Sequence, residues 1–129
     1  MIYLCYHKTM EKLNFEFYKR PNGHVEFQEF LNKLNKKDRA KMLAIIYELS
    51  LHGISVGIQQ NWVKFIDKNL YEVRSKVGKN QQRGLYFHVA DNKFIITHGF
   101  TKKTQKTPMR EIKHAQDLRD EYFKYRKKD

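Results

Sequence analysis

Residues 70–100 read LYEVRSKVGKNQQRGLYFHVADNKFIITHGF, and the turns within this stretch decide the fold. Three runs, at 70–77, 82–90 and 93–100, are rich in β-branched and aromatic side chains and are punctuated by polar and glycine residues, which predicts three consecutive antiparallel strands. With Asp91-Asn92 as a two-residue hairpin turn, Val89 faces Phe94, Phe87 faces Ile96 and Leu85 faces His98. A three-residue loop, Lys79-Asn80-Gln81, sets Val73 beside Phe87 and Tyr71 beside Val89, keeping the apolar side chains together. A slip of one residue would exchange the two faces, so the pattern is informative. In this register the other face carries Glu72, Arg74, Lys76, Tyr86, His88 and Thr97, and the strand ends deliver Arg83, Lys102 and Lys103 beside it. The expectation is a basic, aromatic-bearing sheet face.

Upstream, 62–66 reads as a possible short strand. Before it, Asn35 caps a helix with Asp38 in its first turn, which is expected to bury Ala40, Leu43, Ala44, Tyr47 and Leu51 before Gly53 ends it. Phe27, Phe30, Leu31 and Leu34 recur at the spacing of an amphipathic helix. Earlier still, Leu13, Phe15 and Phe17 alternate with Asn14, Glu16 and Tyr18, a strand that ends near Arg20 and Pro21-Asn22-Gly23. Downstream, Thr107-Pro108 opens a helix that presents Ala115, Leu118, Tyr122 and Tyr125 on one side. The order β-α-α-β-β-β-α predicts an α+β fold: an antiparallel sheet, an N-terminal helical hairpin packed on one face, and a C-terminal helix. At 129 residues the chain fits one domain, 1–129, with 1–12 as a disordered or extra N-terminal segment whose first nine residues form an edge strand or a frayed tail.

Lys and Arg number 26 against 14 Asp and Glu, a net charge of +12 that favours a polyanion or an acidic protein as partner. Residues 62–103 hold 9 basic and 3 acidic side chains, half of that excess, and they are the predicted sheet. The single cysteine, Cys5, excludes an intramolecular disulfide and suits a reducing compartment. Residues 1–6 are apolar but too short for a signal sequence, and nothing later approaches a membrane span, so a cytoplasmic protein without membrane partners is expected. The histidines at 7, 24, 52, 88, 98 and 114 lack metal-ligand spacing, and Gly78 and Gly84 flank a hairpin instead of opening a helix. Neither a metal nor another cofactor is expected.

A basic face of this kind can cut RNA without a metal. The reaction needs the 2′-hydroxyl deprotonated, the charge on the pentavalent phosphate stabilised and the 5′-oxygen protonated as it leaves. Arg binds phosphate oxygens bidentately, and crowded Lys loses enough basicity to move protons. Each residue also has a plainer reading. Arg74 could make a cross-strand ion pair, and Arg83, with core-facing parity, could be a snorkelling side chain. Lys102 and Lys103 could be solvated loop charges. His98 reads as a satisfied buried histidine and His88, opposite Glu72, as half of a structural pair. Tyr86, beside Arg74, could stack a base or simply pack. Trp62 reads as a core or lid residue.

The run His98-Gly99-Phe100-Thr101-Lys102-Lys103-Thr104-Gln105-Lys106-Thr107-Pro108 resembles the signature of the phage-derived HigB-like branch of the RelE/ParE toxin superfamily. Leu70-Tyr71-Glu72-Val73-Arg74 and Arg83-Gly84-Leu85-Tyr86-Phe87 are similar to two of its strands, and the likeness covers most of 13–125. The resemblance implies a RelE-like fold whose helices cover one side of the sheet, and a metal-independent, ribosome-dependent mRNA endoribonuclease, an mRNA interferase of a type II toxin–antitoxin system that inhibits translation. It implies that Arg74 and Arg83 hold the scissile phosphate and that Lys102 or Lys103 joins them as stabiliser or acid. Lys76, Tyr86 and Lys106 are expected to contact RNA. The C-terminal tyrosine of some RelE relatives has no counterpart near Thr107-Pro108-Met109, which leaves the general base open.

The implied partners are mRNA on the ribosome and an antitoxin, usually with a helix-turn-helix domain, through which alone DNA would be bound. The antitoxin could cover Arg74, Arg83 and the 102–106 loop, or dock on the helical hairpin 24–52 near Lys36, Lys37 and Lys41; the second route is favoured. Two alternatives share the fold: a ParE-like gyrase poison, which would lack the Lys-Lys-Thr-Gln-Lys run, and a non-catalytic nucleic-acid-binding or regulatory module.

Overall fold

The computed structural model describes residues 12–126, so the expectation for the first dozen residues lies almost wholly outside the described part. Strand β1 (Asn14–Phe17) leads into helices α1 (Glu26–Lys33), α2 (Lys36–His52) and α3 (Ile54–Gln59). Four strands follow, β2 (Val63–Asp67), β3 (Leu70–Val77), β4 (Asn80–Ala90) and β5 (Lys93–Thr101), and helix α4 (Met109–Arg126) closes the chain. The five-stranded sheet has the order β1-β5-β4-β3-β2; β1 runs parallel to β5 and every other pair is antiparallel. The α+β class, the N-terminal helical hairpin and the C-terminal helix are as the sequence predicts, while the parallel β1–β5 pair and the short α3 are not.

Local signals place the elements. The Asn35 side chain accepts the Asp38 amide at 2.9 Å and starts α2, and Gly53, at φ 91°, ends it with a backbone conformation that a side chain would disfavour. Thr107 does not cap α4; its hydroxyl points at Glu72 instead. On α4, Ala115 and Leu118 are buried as expected, whereas Tyr125 is largely exposed.

The registers differ from the sequence reading. Gly78, at φ 60°, sits inside a two-residue turn, so Val77 pairs with Asn80, Val73 with Gly84 and Tyr71 with Tyr86. The longer loop is not formed because Gly78 supplies the left-handed residue a tight hairpin needs. At the next hairpin the Asp91-Asn92 turn and the Leu85–His98 pair are as predicted. Between them the register shifts twice, around Val89 and Thr97, so Phe87 pairs with Ile95 and His88 with Phe94.

These shifts make the sheet apolar on both faces. On one side Phe27, Leu31, Met42, Ile45, Ile46 and Leu49 of α1 and α2 pack against Val63, Val73, Tyr86, Phe94 and Ile96. On the other side Ala115 of α4 meets Leu70 and Leu85, and Leu118 meets Tyr18, Phe87 and Ile95. The expectation that one sheet face lies open is therefore corrected: α4 covers much of it. A second correction concerns α2, which buries Met42, Ile45, Ile46 and Leu49 and leaves Ala40, Leu43, Ala44 and Tyr47 facing outward.

Candidate functional site

Strands β3 and β4 set Arg74 and Arg83 directly opposite each other. Like charges in cross-strand register repel, so this pair needs a counter-charge. Glu72, two residues before Arg74 on the same face of β3, supplies it from a fully buried position. Its Oε1 lies 3.4 Å from Arg83 Nε and 3.9 Å from Arg74 Nε, and its Oε2 accepts the Thr107 hydroxyl at 2.5 Å. One carboxylate thus joins both arginines to the segment that connects β5 to α4.

The two arginines are placed unequally. Arg83 is 2% exposed, donating from Nη1 to the Gln82 carbonyl at 2.9 Å and from Nη2 to Gln81 Oε1 at 2.7 Å. Burial, and then the neighbouring Arg74 charge, lower its pKa against the opposing pull of Glu72. Arg74 keeps 27% of its side chain exposed and lines a surface cleft of about 530 Å³. Lys41 of α2, Trp62, Lys76, Gln81 and Arg83 share that cleft, which opens just before β2 begins, where the outer edge of β3 is no longer paired.

Lys102 is anchored by its amide, which donates to the Gln81 carbonyl at 2.8 Å. Partial burial, reinforced by Arg83 and to a lesser degree by Arg74 and Lys64, holds its ammonium below the ordinary lysine range, with Glu72 opposing. A lysine so held is a better proton donor than a solvated one. Lys103 and Lys106 are exposed on the same connecting segment, and no hydrogen bond of their side chains is seen among the described residues. The structure therefore brings Arg74, Arg83, Lys76 and Lys102 together.

Tyr86 is corrected. It is fully buried on the opposite face, edge-on to Phe15 at 5.3 Å and stacked with Tyr71 at 5.4 Å, so it cannot stack a base. Burial pushes its phenol well above the usual tyrosine range. His88 is likewise not opposite Glu72; its ring packs on Phe94 at 4.9 Å and its Nε2 lies 2.8 Å from the Asp91 carbonyl. His98 is the satisfied buried histidine expected, held between Thr97 Oγ1 at 3.0 Å and Glu111 at 2.9 Å. Sequence reasoning assigned Lys41 to antitoxin docking and not to the cleft, and missed Gln81 and the role of Glu72. Only Glu72 carried a signal, as a carboxylate of the same strand parity as Arg74.

Among the described residues no group of three or more His, Cys, Asp or Glu side chains is placed to hold a metal ion, and no helix is long and apolar enough to cross a membrane. No curated protein matches the chain. A family model described as phage derived protein Gp49-like (DUF891) matches residues 29–120, which include Glu72, Arg74, Arg83, Lys102 and Thr107. The match spans more than half of the sequence, and the chain belongs to the Gp49-like family of phage-derived proteins.

Proposed function

We propose that the protein is the toxin of a toxin–antitoxin pair and acts as a metal-independent mRNA endoribonuclease on the translating ribosome. The observation that carries this reading is the clustering of Arg74, Arg83 and Lys76 around one cleft, with Arg74 solvent-accessible and Lys102, outside the cleft lining, close enough for both arginines to hold its ammonium low. Membership of a phage-derived family and the HigB-like run 98–108 support the toxin context.

In this mechanism Arg74 contacts the scissile phosphate and stabilises the charge that builds on its non-bridging oxygens. Arg83 stands behind it: buried and hydrogen-bonded to the backbone, it adds positive potential and fixes Gln81 at the cleft wall. Lys102 protonates the departing 5′-oxygen. Lys41 and Lys76 flank the cleft and bind neighbouring phosphates, a sequence-independent and salt-sensitive contact. Lys103 and Lys106 extend the same track along the exposed segment. The general base that takes the 2′-hydroxyl proton is left to RNA, ribosome or water.

The partner that restrains such an enzyme is an antitoxin, docked through acidic side chains on the lysine-bearing start of α2. Induced expression tests the function: translation should stop, and primer extension should find new 5′ ends inside translated messages. Growth arrest with intact messages would refute the nuclease reading. Cleavage should also withstand chelators once ribosome integrity is controlled separately, because ribosomes themselves need magnesium.

A further inference from the structure

Trp62, the chain's one tryptophan, lines the cleft and has no part in the proposed mechanism. Its backbone is held on both sides. The turn after α3 is a Schellman cap: the Asn61 amide donates to the Ile58 carbonyl at 3.1 Å and the Trp62 amide to the Gly57 carbonyl at 2.8 Å, with Asn61 at φ 63° in the left-handed position that asparagine tolerates. Gly57 permits this seat, because a Cβ there would run into Leu49 of α2. The Trp62 carbonyl in turn accepts the Arg74 amide at 2.7 Å, in line with the Val63–Val73 pair, which sets Trp62 directly across from Arg74.

The indole is only partly used by the fold. It is half-buried against the core under α2. Other aromatics of that core pair ring to ring, Tyr71 with Tyr86 and Phe15 with Phe94, whereas the Trp62 indole meets no other ring and donates no hydrogen bond among the described residues. Around it the cleft wall carries four cations, Lys41, Arg74, Lys76 and Arg83, and no carboxylate. The side-chain amides of Gln60, Asn61 and Gln81 complete the polar lining. We propose that Trp62 is the stacking platform for one unpaired nucleobase, whose phosphate is held by Arg74 across the strand pair. The proposal rests on the nuclease reading for its substrate, single-stranded RNA, and adds the residue that grips the base.

The chemistry of the wall selects this ligand. Directly opposed residues of an antiparallel pair have Cβ atoms about 5 Å apart, so one nucleotide can lay its base on the ring and its phosphate on the guanidinium. A bare phosphate or an acidic peptide would engage the cations and leave the indole and the amides idle. An apolar ligand would lie against four charges. A nucleotide uses all three: its phosphate meets the cations, its base stacks on the indole, and the edge of the base meets amides that both donate and accept. A cleft of about 530 Å³ is of the size that takes such a group.

As the single tryptophan, Trp62 is its own reporter. Its fluorescence is titrated on the full chain at low salt with an uncleavable 2′-O-methyl hexanucleotide and with an abasic strand of the same length and charge. The hexanucleotide should quench to saturation, and the abasic strand should bind at least about fivefold more weakly without quenching. Anisotropy of the same strands carrying a dye then compares variants. Trp62→Phe, which keeps a ring, should retain most of the affinity. Trp62→Leu, which keeps the apolar packing alone, should lose about fivefold to a hundredfold for the hexanucleotide and nothing for the abasic strand. Absence of quenching, or equal affinity of the native chain for the two strands, would overturn the proposal. So would a Trp62→Leu variant that binds the hexanucleotide as the native chain does, or one that loses both strands equally, which makes Trp62 structural. The two readings fail separately: a base-dependent Trp62 contact in a chain that cuts no message refutes the nuclease alone, and cutting without that contact refutes the platform alone.

Discussion

Arg83 and Glu72 form a buried pair on adjacent strands, Nε to Oε1 at 3.4 Å, with Arg83 2% exposed and Glu72 fully buried. The two arginines of the site should therefore fail differently. Arg83→Ala strands the Glu72 carboxylate away from water, and breaking such a pair costs about 3–5 kcal/mol, so denaturant melts should show a large loss of stability. Arg74→Ala, at the cleft surface, should leave the melt nearly unchanged while lowering cleavage about a hundredfold or more, as expected for removing one transition-state donor. Equal stability losses in the two variants would contradict this division of labour.

As the proposed general acid, Lys102 would give the reaction a pH signature. A general acid must carry its proton, and burial together with Arg83 lowers the pKa of this one from the ordinary 10.5. Cleavage should decline on the alkaline side with a midpoint below 10.5, and Lys102→Arg should move that limb to higher pH. A limb that stays in place would remove Lys102 from the proton transfer.

Acid stability draws on a second cluster, Glu26 and Glu121 with Arg20 and His114. Burial alone would raise the Glu26 pKa, but hydrogen bonds from His114 and Arg20 outweigh it and the net shift is downward. Glu121 is lowered chiefly by the hydrogen bond it accepts from Arg20, against burial, with a lesser contribution from the Tyr18 hydroxyl. Carboxyls depressed on folding contribute stability that is fully present above their unfolded value of 4.5 and lost as pH falls through the folded values. Glu26→Gln/Glu121→Gln should thus be less stable at neutral pH and show a shallower loss of stability on acidification below 4.5, measured by urea denaturation as a function of pH.

The proposed antitoxin docking can be separated from the proposed catalysis by charge reversal. Lys36→Glu/Lys37→Glu alters the exposed start of α2 at two positions that do not line the cleft. It should release toxicity in the antitoxin's presence and spare cleavage. Lys41→Glu should weaken cleavage itself, because Lys41 lines the cleft with Arg74. Antitoxin binding that survives the first variant but is lost on changing Lys102 and Lys103 would point to direct occlusion of the site.

Gly99, inside the run that suggests the family, has a packing role. A Cβ at this position would overlap the Phe30 ring of α1. Gly99→Ala should cost about 1–3 kcal/mol by overpacking, read as a lowered melting midpoint, and Phe30→Leu in the same chain should recover part of it.

Element identity was legible where a local signal had one meaning: Asn35 as cap, Gly53 as stop, Asp91-Asn92 as turn. Register was not, because β4 carries Leu85, Tyr86 and Phe87 in succession and the sheet is buried on both faces. Alternation then cannot say which side is in, and the register shifts around Val89 and Thr97 leave no mark in the sequence. The same ambiguity hid the buried side of α2, where helical periodicity fits Leu43 and Tyr47 as well as Met42 and Leu49. Arg74 and Arg83 were found, but the burial of Arg83 depended on a register that only three-dimensional packing fixes. Lys41 was seen as a surface lysine because its neighbour Arg74 lies 33 positions away.

The parallel pairing of β1 with β5 also bears on when the proposed toxicity could begin. Asn14 must wait for Lys93, and Glu72 for Thr107, before the sheet and the cationic cluster are complete. Such distant closures are slow relative to local hairpins, and during synthesis they are withheld until the C-terminal third has left the ribosome. A nascent chain therefore carries its arginines past the very machine we propose it attacks while they are still unassembled. Under the proposed function, this vectorial delay would let a co-synthesised antitoxin meet α2 first.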